Sequence, residues 1–312
     1  QILGPQNAQI ASLISKKCII YQSPFLYPYD AKFDSSFKIF KEIKEFSPEL
    51  IVDFRGDFYL LAASILSRPQ FKLEVARQRI IPTVKKLVLG LNPKTLKKSY
   101  QKHETGVYSE LIKTSKIRLV DQAEAREYVA RKIDQDRLLN ESNLLQSDKE
   151  FFCFHIGGST AHKRWPAKKY ALLAEQVYEK YRVRVAFVGS TGELDLLRDV
   201  TLGEKSTVNL ISNTNILELL NIVRKSKLVV ANDSAVGHIS AFWGVPTLTI
   251  YGGPSNENIF KPSGEGITQI IRPNCICKSS EQDRCSNPND WCLGTVSVNM
   301  VMKEISKICD SI

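Results

Sequence analysis

The sequence predicts an α/β protein built from two Rossmann-like domains, each with a parallel sheet covered by helices, and three observations predict it. At 312 residues the chain exceeds one average domain and suits two of roughly 150 residues each. Apolar runs of strand length alternate with helical patterns, most clearly in the second half, which is the signature of an open parallel sheet wrapped on both faces. The clearest of these strands run into Gly-rich or Ser/Thr-rich turns, at the strand ends where open parallel sheets bind ligands.

In the first half, Lys17 to Tyr21 and Leu50 to Phe54 read as short strands, and Ser36 to Phe46 as a helix. Glu124 to Arg137 is rich in charge and helix formers and reads as another helix. The polar stretch Asn140 to Glu150 is the expected linker, which divides the chain into domains 1–145 and 146–312. The second half opens with Phe151 to Ile156, a continuous apolar run ended by Gly157-Gly158-Ser159. Pro166 suits a first helical position, and Tyr170, Leu173, Ala174 and Val177 follow at helical spacing. Arg184 to Val188 is the next buried strand, closed by Gly189-Ser190-Thr191-Gly192, and Glu193 to Val200 reads as a helix. Then come helix Ile216 to Val223, strand Leu228 to Ala231, helix Ser234 to Phe242 and strand Pro246 to Tyr251, stopped by Gly252-Gly253-Pro254.

Composition bounds the function. The chain is 43% hydrophobic and 24% charged, an ordinary globular balance. No run approaches the roughly 18 consecutive apolar residues of a membrane-spanning helix. No basic run followed by an apolar stretch opens the chain, so a cytoplasmic location is expected. The net charge of +10, from 43 Lys and Arg against 33 Asp and Glu, favours anionic partners. The basic residues are scattered, and neither aromatic interleaving nor finger spacing accompanies them, so nucleic acid is not the expected partner.

Two segments carry chemistry. In the run from Leu228 to Pro246, a buried strand meets Asn232-Asp233-Ser234, good helix-capping residues, followed by a helix of small residues. A helix start offers free N–H groups and partial positive charge, which suits a diphosphate, and Ala235 and Gly237 leave room for one. Asp233 is either a ligand-side group or only a cap. The other segment runs from Phe154 to Pro166: a strand opens into a Gly/Ser/Thr turn carrying Lys163 and Arg164, a cation beside flexible backbone donors. Trp165 reads as an anchor for this loop. His155 and His162 do not have metal-ligand spacing with any carboxylate.

Taken together these segments resemble glycosyltransferase family 9, the ADP-heptose:lipopolysaccharide heptosyltransferases. The resemblance is carried by Gly157-Gly158-Ser159, Lys163-Arg164-Trp165-Pro166, the run Asp233 to His238, Gly244-Val245-Pro246, and Tyr251-Gly252-Gly253-Pro254 with Pro262. It is strong over residues 151 to 310 and looser over 1 to 150. It implies the GT-B fold, two such domains with their sheets facing across a cleft. It also implies inverting, metal-independent transfer of a heptose or related sugar from a nucleotide-sugar, ADP-heptose first, to a lipopolysaccharide core-type acceptor. By resemblance, Gly158, Ser159 and Lys163 hold the donor's diphosphate with the backbone amides of Ser234, Ala235 and Val236. Glu193 holds the ribose, and Asp233 lies beside the donor sugar. His238 either faces the ligand or packs. Ala235 stands where the family usually has Gly.

The family's catalytic base is an Asp in a turn after a first apolar strand. No such turn occurs here, and the opening Gln1 to Ala8 resembles the family's second strand, so the base is expected upstream of Gln1. On the acceptor side the resemblance and the residue types offer Asp53, Arg55 and Asp57, either cleft groups or a salt-bridged turn, and His103. A lipid-linked saccharide acceptor and peripheral contact with the anionic inner face of the inner membrane are the implied partners. No cofactor is required. The late cysteines Cys275, Cys277, Cys285 and Cys292 lack the paired knuckles of a zinc site, so a structural cluster without metal is favoured over zinc. Two alternatives stay open: another GT-B nucleotide-sugar enzyme such as a 2-epimerase, and a nucleotide-sugar-binding protein without turnover.

Overall fold

The computed structural model describes residues 150–252, 255–274 and 292–312, residues 103–113 and 121–135, and the shorter segments of the first half named below. The chain forms two compact units, Gln1–Asp121 and Gln122–Ile312.

The first unit contains two sets of parallel strands. β1 (Ile2–Leu3) pairs with β2 (Ile19–Ile20). β3 (Leu50–Asp53), β4 (Phe71–Ala76) and β5 (Lys94–Lys97) pair in that order, all parallel. β2 and β3 fall inside the expected strands; β4 and β5 are additional. Lys41, Ile43 and Glu45 are helical, within the expected Ser36 to Phe46. Helix α1 (Glu104–Lys113) packs near β4 and β5.

The second unit begins with α2 (Gln122–Asp134). The division therefore lies earlier than residue 145, and the contacts of α2 explain why. Ile133 is 1% exposed, Asp134 meets Arg224 at 2.6 Å, and Arg126 is bonded to Glu265. Of the expected linker only Glu150 lies within the described residues.

A six-stranded parallel sheet follows, made from β6 (Phe151–His155), β7 (Arg184–Val188), β8 (Thr207–Asn209), β9 (Leu228–Asn232), β10 (Thr247–Ile250) and β11 (Thr268–Ile271). Its spatial order is β11-β10-β9-β6-β7-β8. The chain builds outward from β6 through β7 to β8, then crosses back to build β9, β10 and β11 on the other side. The order reverses between β6 and β9, which are paired from Phe152↔Leu228 to His155↔Ala231. That reversal opens a crevice at the carboxyl ends of these two strands.

Both faces of the sheet are buried, so its inner strands read as continuous apolar runs. Along β6 the side chains alternate: Phe152 and Phe154 join one core, Phe151 and Cys153 the other. The first core is covered by α3 (Ala167–Tyr181) and α7 (Val298–Cys309), whose Leu173, Val177, Val301 and Ile305 are fully buried. The second is covered by α4 (Ile216–Lys225) and α5 (Ala235–Trp243). Asn215 starts α4, accepting from the Leu217 and Glu218 amides while Glu218 returns a bond to the Asn215 amide. Gly244 ends α5 at φ 74°, a left-handed conformation that costs glycine little. Short α6 (Glu257–Phe260) precedes β11. The expected helix from Glu193 to Val200 is instead a 3₁₀ helix over Thr191–Leu197. Among the described residues, no helix is long and apolar enough to cross a membrane.

Candidate donor site

The loops after β6, β7, β9 and β10 converge at the crevice, and one buried side chain sets their geometry. Asn232, the last residue of β9, is fully buried. Its Nδ2 donates to the Ile156 and Gly157 carbonyls at 2.8 and 2.9 Å, and its Oδ1 accepts from the Trp165 amide and the Tyr170 hydroxyl at 2.9 and 3.0 Å. All the hydrogen-bonding directions this amide uses are thus spent on pinning both ends of the loop that follows β6. Trp165 seats the same loop in the core: it is 1% exposed, donates Nε1–H to the Val296 carbonyl at 2.9 Å, and stacks edge-on against Tyr170. It is the anchor the sequence suggests.

On this frame Lys163, at the end of a 3₁₀ turn (Ala161–Lys163), reaches Asp233 with Nζ 2.8 Å from Oδ2. Asp233 is buried and accepts a second bond from Ser255 Oγ at 2.8 Å. Asp233 therefore joins the loops after β6, β9 and β10, with Ser234 in the cap position of α5. Gly252 makes the third of these loops fit, because a Cβ there would lie 2.6 Å from the His162 carbonyl oxygen. Tyr251, fully buried, donates its hydroxyl to the Phe260 carbonyl at 2.7 Å. Burial, then the negative charge of Asp233, holds its phenol far above the usual range.

Ser234 occupies the position before α5 with extended backbone (φ −153°, ψ 169°), but its hydroxyl does not cap the helix. It turns to His155, with Oγ 3.0 Å from Nδ1. The other ring nitrogen, Nε2, is 3.3 Å from Glu193 Oε1. Glu193 Oε2 accepts from the Ser190 amide at 2.6 Å and the Ser190 hydroxyl at 3.1 Å. Burial pushes this carboxyl up, but the bonds and charge of His155 and the bonds of Ser190 outweigh it and leave the group below its usual range.

One glycine from each of the turns after β6 and β7 has a different use from the one the turn's composition suggests. A Cβ on Gly157 would fall 1.4 Å from Glu193 Oε1, and one on Gly189 would fall 2.7 Å from Glu193 Oε2. Both make room for a carboxylate of the protein itself. Gly158 is half-buried with its carbonyl held by Arg164 Nε at 2.9 Å, and Ser159 is exposed.

Lys163, Glu193, Asp233 and Ser234 thus meet in one crevice, with Gly158 and Ser159 on its loop. Ala235 is exposed at the head of α5 and Val236 is buried. His238 is exposed, so of its two readings packing into the core is not what the structure shows. On the other unit, His103 Nδ1 bonds Thr105 Oγ1 at 2.8 Å at the start of α1. Asp53 ends β3. Arg55, Asp57, Cys275, Cys277 and Cys285 lie outside the described residues, whereas Cys292 opens a 3₁₀ turn over Cys292–Thr295. The described residues contain no group of three or more metal-ligating side chains.

The chain shares its sequence pattern and its fold with known proteins. The sequence profile of glycosyltransferase family 9 (heptosyltransferase) matches residues 85–289. The chain belongs to glycosyltransferase family 9. Among curated relatives, it is 25% identical over 178 residues to lipopolysaccharide heptosyltransferase 1 of Campylobacter coli, covering 55% of this chain and 50% of that one. It is 31% identical over 115 residues to lipooligosaccharide heptosyltransferase 2 of Haemophilus influenzae, covering 35% of this chain and 32% of that one. The matched segment thus spans half or less of those relatives' own length.

Solved glycosyltransferase structures share the fold over nearly all of the chain. A family 9 glycosyltransferase from Veillonella parvula superposes with a TM-score of 0.72 at 14% identity, covering 100% of this chain and 88% of that one. The E. coli heptosyltransferase WaaC with ADP superposes with a TM-score of 0.69 at 16% identity, covering 98% and 88%. The GT-B class expected from the sequence is the fold of these neighbours. Sequence reasoning offered Asn232 only as a helix-capping residue and His155 only as a histidine without metal-ligand spacing; Asn232 instead fastens the loop after β6, His155 joins Ser234 to Glu193, and Ser255 was not singled out. The one local signal for His155 was its place at the end of the strand from which the sheet builds outward.

Proposed function

We propose that the second unit binds the nucleoside diphosphate of a sugar donor, and that the protein transfers a heptose or related sugar from ADP-heptose to a lipopolysaccharide core-type acceptor. The observation that carries this reading is the meeting of Lys163 with the head of α5 at the sheet's reversal point. A cation and a row of helix N–H groups there suit a diphosphate. The family 9 relatives are named as lipopolysaccharide and lipooligosaccharide heptosyltransferases, and one solved neighbour of the same fold carries ADP.

In this reading Lys163 exchanges its bond to Asp233 for one to the diphosphate, and the amides of Ser234, Ala235 and Val236 take the remaining phosphate oxygens with help from Gly158 and Ser159. Glu193 lies within reach of the ribose. As an acceptor hydroxyl attacks the anomeric carbon from the opposite side, negative charge grows on the departing diphosphate. Lys163 and the α5 amides stabilise it in place of a metal ion. Asp233, freed from Lys163, faces the donor sugar. A carboxylate has to take the acceptor's proton. Acceptor-side contacts fall to the first unit, with Asp53, Arg55, Asp57 and His103 as candidates, and the basic surface suits a phosphorylated, lipid-linked acceptor at an anionic membrane face.

Calorimetric titration with ADP, UDP and dTDP, on the wild type and on Lys163→Ala, tests the donor site. ADP should bind best, and Lys163→Ala should weaken it by about tenfold or more, the loss of roughly 1.4 kcal/mol. Wild-type ADP affinity in a folded Lys163→Ala protein would remove Lys163 from the site. Transfer from ADP-heptose that survives EDTA tests the metal-free mechanism, and turnover of a UDP-sugar without any acceptor would favour an epimerase instead.

A further inference from the structure

Three helices of the second unit start on a polar residue whose side chain caps them. Asn215 accepts from the Leu217 and Glu218 amides of α4 at 2.9 and 3.0 Å, Asn256 from the Asn258 amide of α6 at 3.1 Å, and Ser297 from the Met300 amide of α7 at 3.2 Å. Ser234 stands in the same position before α5, on extended backbone like Ser297, yet its hydroxyl makes no such bond. A serine there ordinarily stabilises its helix by accepting from the second or third amide. α5 forgoes that contribution.

The cause is His155. Ser234 Oγ lies 3.0 Å from its Nδ1, and a hydroxyl turned to the ring is turned away from the helix. The ring cannot follow the hydroxyl elsewhere. It is 8% exposed, its Nε2 lies 3.3 Å from Glu193 Oε1, and Glu193 is itself held by the Ser190 amide and hydroxyl at 2.6 and 3.1 Å. A hydroxyl can donate or accept, so the bond to Nδ1 forms whether or not that nitrogen carries a hydrogen. A local rule broken without a gain in stability is expected where a site needs the group for something else. The amides that Ser234 leaves open belong to the helix start that the donor reading gives to a phosphate, beside the loop that carries Lys163.

We infer that His155 is a positioning residue of the donor site: by drawing the Ser234 hydroxyl aside, it keeps the start of α5 open to the diphosphate of a nucleotide. This rests on the donor-site reading above. Without the ring, the hydroxyl turns onto the Val236 or Gly237 amide and caps α5. The ligand then has to displace a competitor built into the chain. Affinity falls although no group that touches the ligand has been removed.

The test is calorimetric titration with ADP of the wild type, His155→Gln, His155→Asn and the double variant His155→Gln/Ser234→Ala. The polar end of Gln reaches where Nε2 stands, so it can keep Glu193 but releases Ser234. The polar end of Asn stands near Nδ1, so it keeps Ser234 and releases Glu193, which retains its bonds to Ser190. His155→Gln should bind ADP about fivefold more weakly, the worth of one cap. His155→Asn should keep most of the affinity, and the double variant should recover most of what His155→Gln loses. A role limited to packing or to holding Glu193 gives the opposite order of Gln and Asn and no recovery. Wild-type affinity in His155→Gln, or a double variant that binds no tighter than His155→Gln, overturns the inference and leaves the donor site standing. If His155→Gln does not fold, by circular dichroism, His155→Asn decides: retained affinity supports the inference and lost affinity overturns it. No binding of ADP by the wild type overturns the donor reading and the inference with it.

Discussion

Lys163 Nζ and Asp233 Oδ2 are 2.8 Å apart, although the two residues follow different strands, β6 and β9. The pair spans the sheet's reversal point, and its acid is nearly buried, with a side chain 8% exposed against 23% for the lysine. Removing the lysine leaves the Asp233 carboxylate, which Ser255 Oγ bonds and the Tyr251 phenol also meets, without its cation. Lys163→Ala should destabilise the protein by about 1–2 kcal/mol, less than the about 3–5 kcal/mol of a fully buried pair because the lysine keeps a path to water. Urea unfolding of Lys163→Ala, Asp233→Asn and the double variant checks this. Simple additivity would show that the two side chains do not stabilise each other.

Asn232→Ala should be the most damaging single change in the second unit. It strands two loop carbonyls, an amide and the Tyr170 hydroxyl, all inside the fold. Lost bonds and orphaned groups together should cost about 3 kcal/mol or more. Asn232→Asp keeps the acceptor but loses both donors, so it should not rescue stability. A thermal melt of either variant that matches the wild type would contradict the latch.

Gly157→Ala places a methyl group where Glu193 Oε1 now sits. The carboxylate must leave, so the substitution should cost about 1–3 kcal/mol. Adding Glu193→Ala should cost less than the sum of the two single changes, because the larger clash is then gone and only His155 Nε2, 2.9 Å from the new methyl, has to give. Denaturant unfolding of the set of variants measures the coupling.

Glu193 also predicts a dependence on pH. Burial raises its proton affinity, but the bonds from His155 and Ser190 prevail and its carboxyl titrates below the usual range. A depressed carboxylate contributes stability that is complete above its unfolded pKa and is lost as pH falls through its folded one. The stability difference between the wild type and Glu193→Gln should therefore be largest near neutrality and shrink on acidification below the usual glutamate range. A difference that grows with acid would reverse the assignment.

Cys153 should be chemically silent in the native protein. It is fully buried in β6, and burial pushes its thiol up to about 12. Alkylation at neutral pH, followed by mass spectrometry of the peptide that contains it, should label Cys153 only after unfolding.

The inner strands of the second unit are legible in the sequence because both faces of the sheet are covered. β6, β7, β9 and β10 are unbroken apolar runs between turn residues. β8 and β11 stand at the two edges of the sheet and carry Thr207, Asn209, Thr268 and Gln269, so they give no such signal. β4 alternates apolar and charged residues from Phe71 to Val75, a period-two pattern open to reading that the expected strands omit. The same holds for α7, whose Val298, Val301, Ile305 and Ile308 recur at helical spacing.

In the site, Lys163 and Asp233 are legible one at a time, each from its local turn. Their meeting is not, because it joins residues 70 positions apart through the fold. The same distance hides His155 with Ser234 and Asn232 with its loop. The glycines mislead for a related reason. A Gly-rich turn announces close approach but does not say of what, and at Gly157 the visitor is the protein's own Glu193.

The Asn232 amide has a consequence for how the crevice can be filled. It fastens the loop after β6 at residues 156, 157 and 165, while Ser159, near the middle of that loop, remains exposed. The arrangement is a fixed bezel around an exchangeable setting. A ligand that enters such a crevice has little chain to immobilise, so more of its contact energy is left for affinity. Exposed positions such as Ser159 and Ala161 can change without disturbing the mount, which gives one fixed framework a means of accepting different guests.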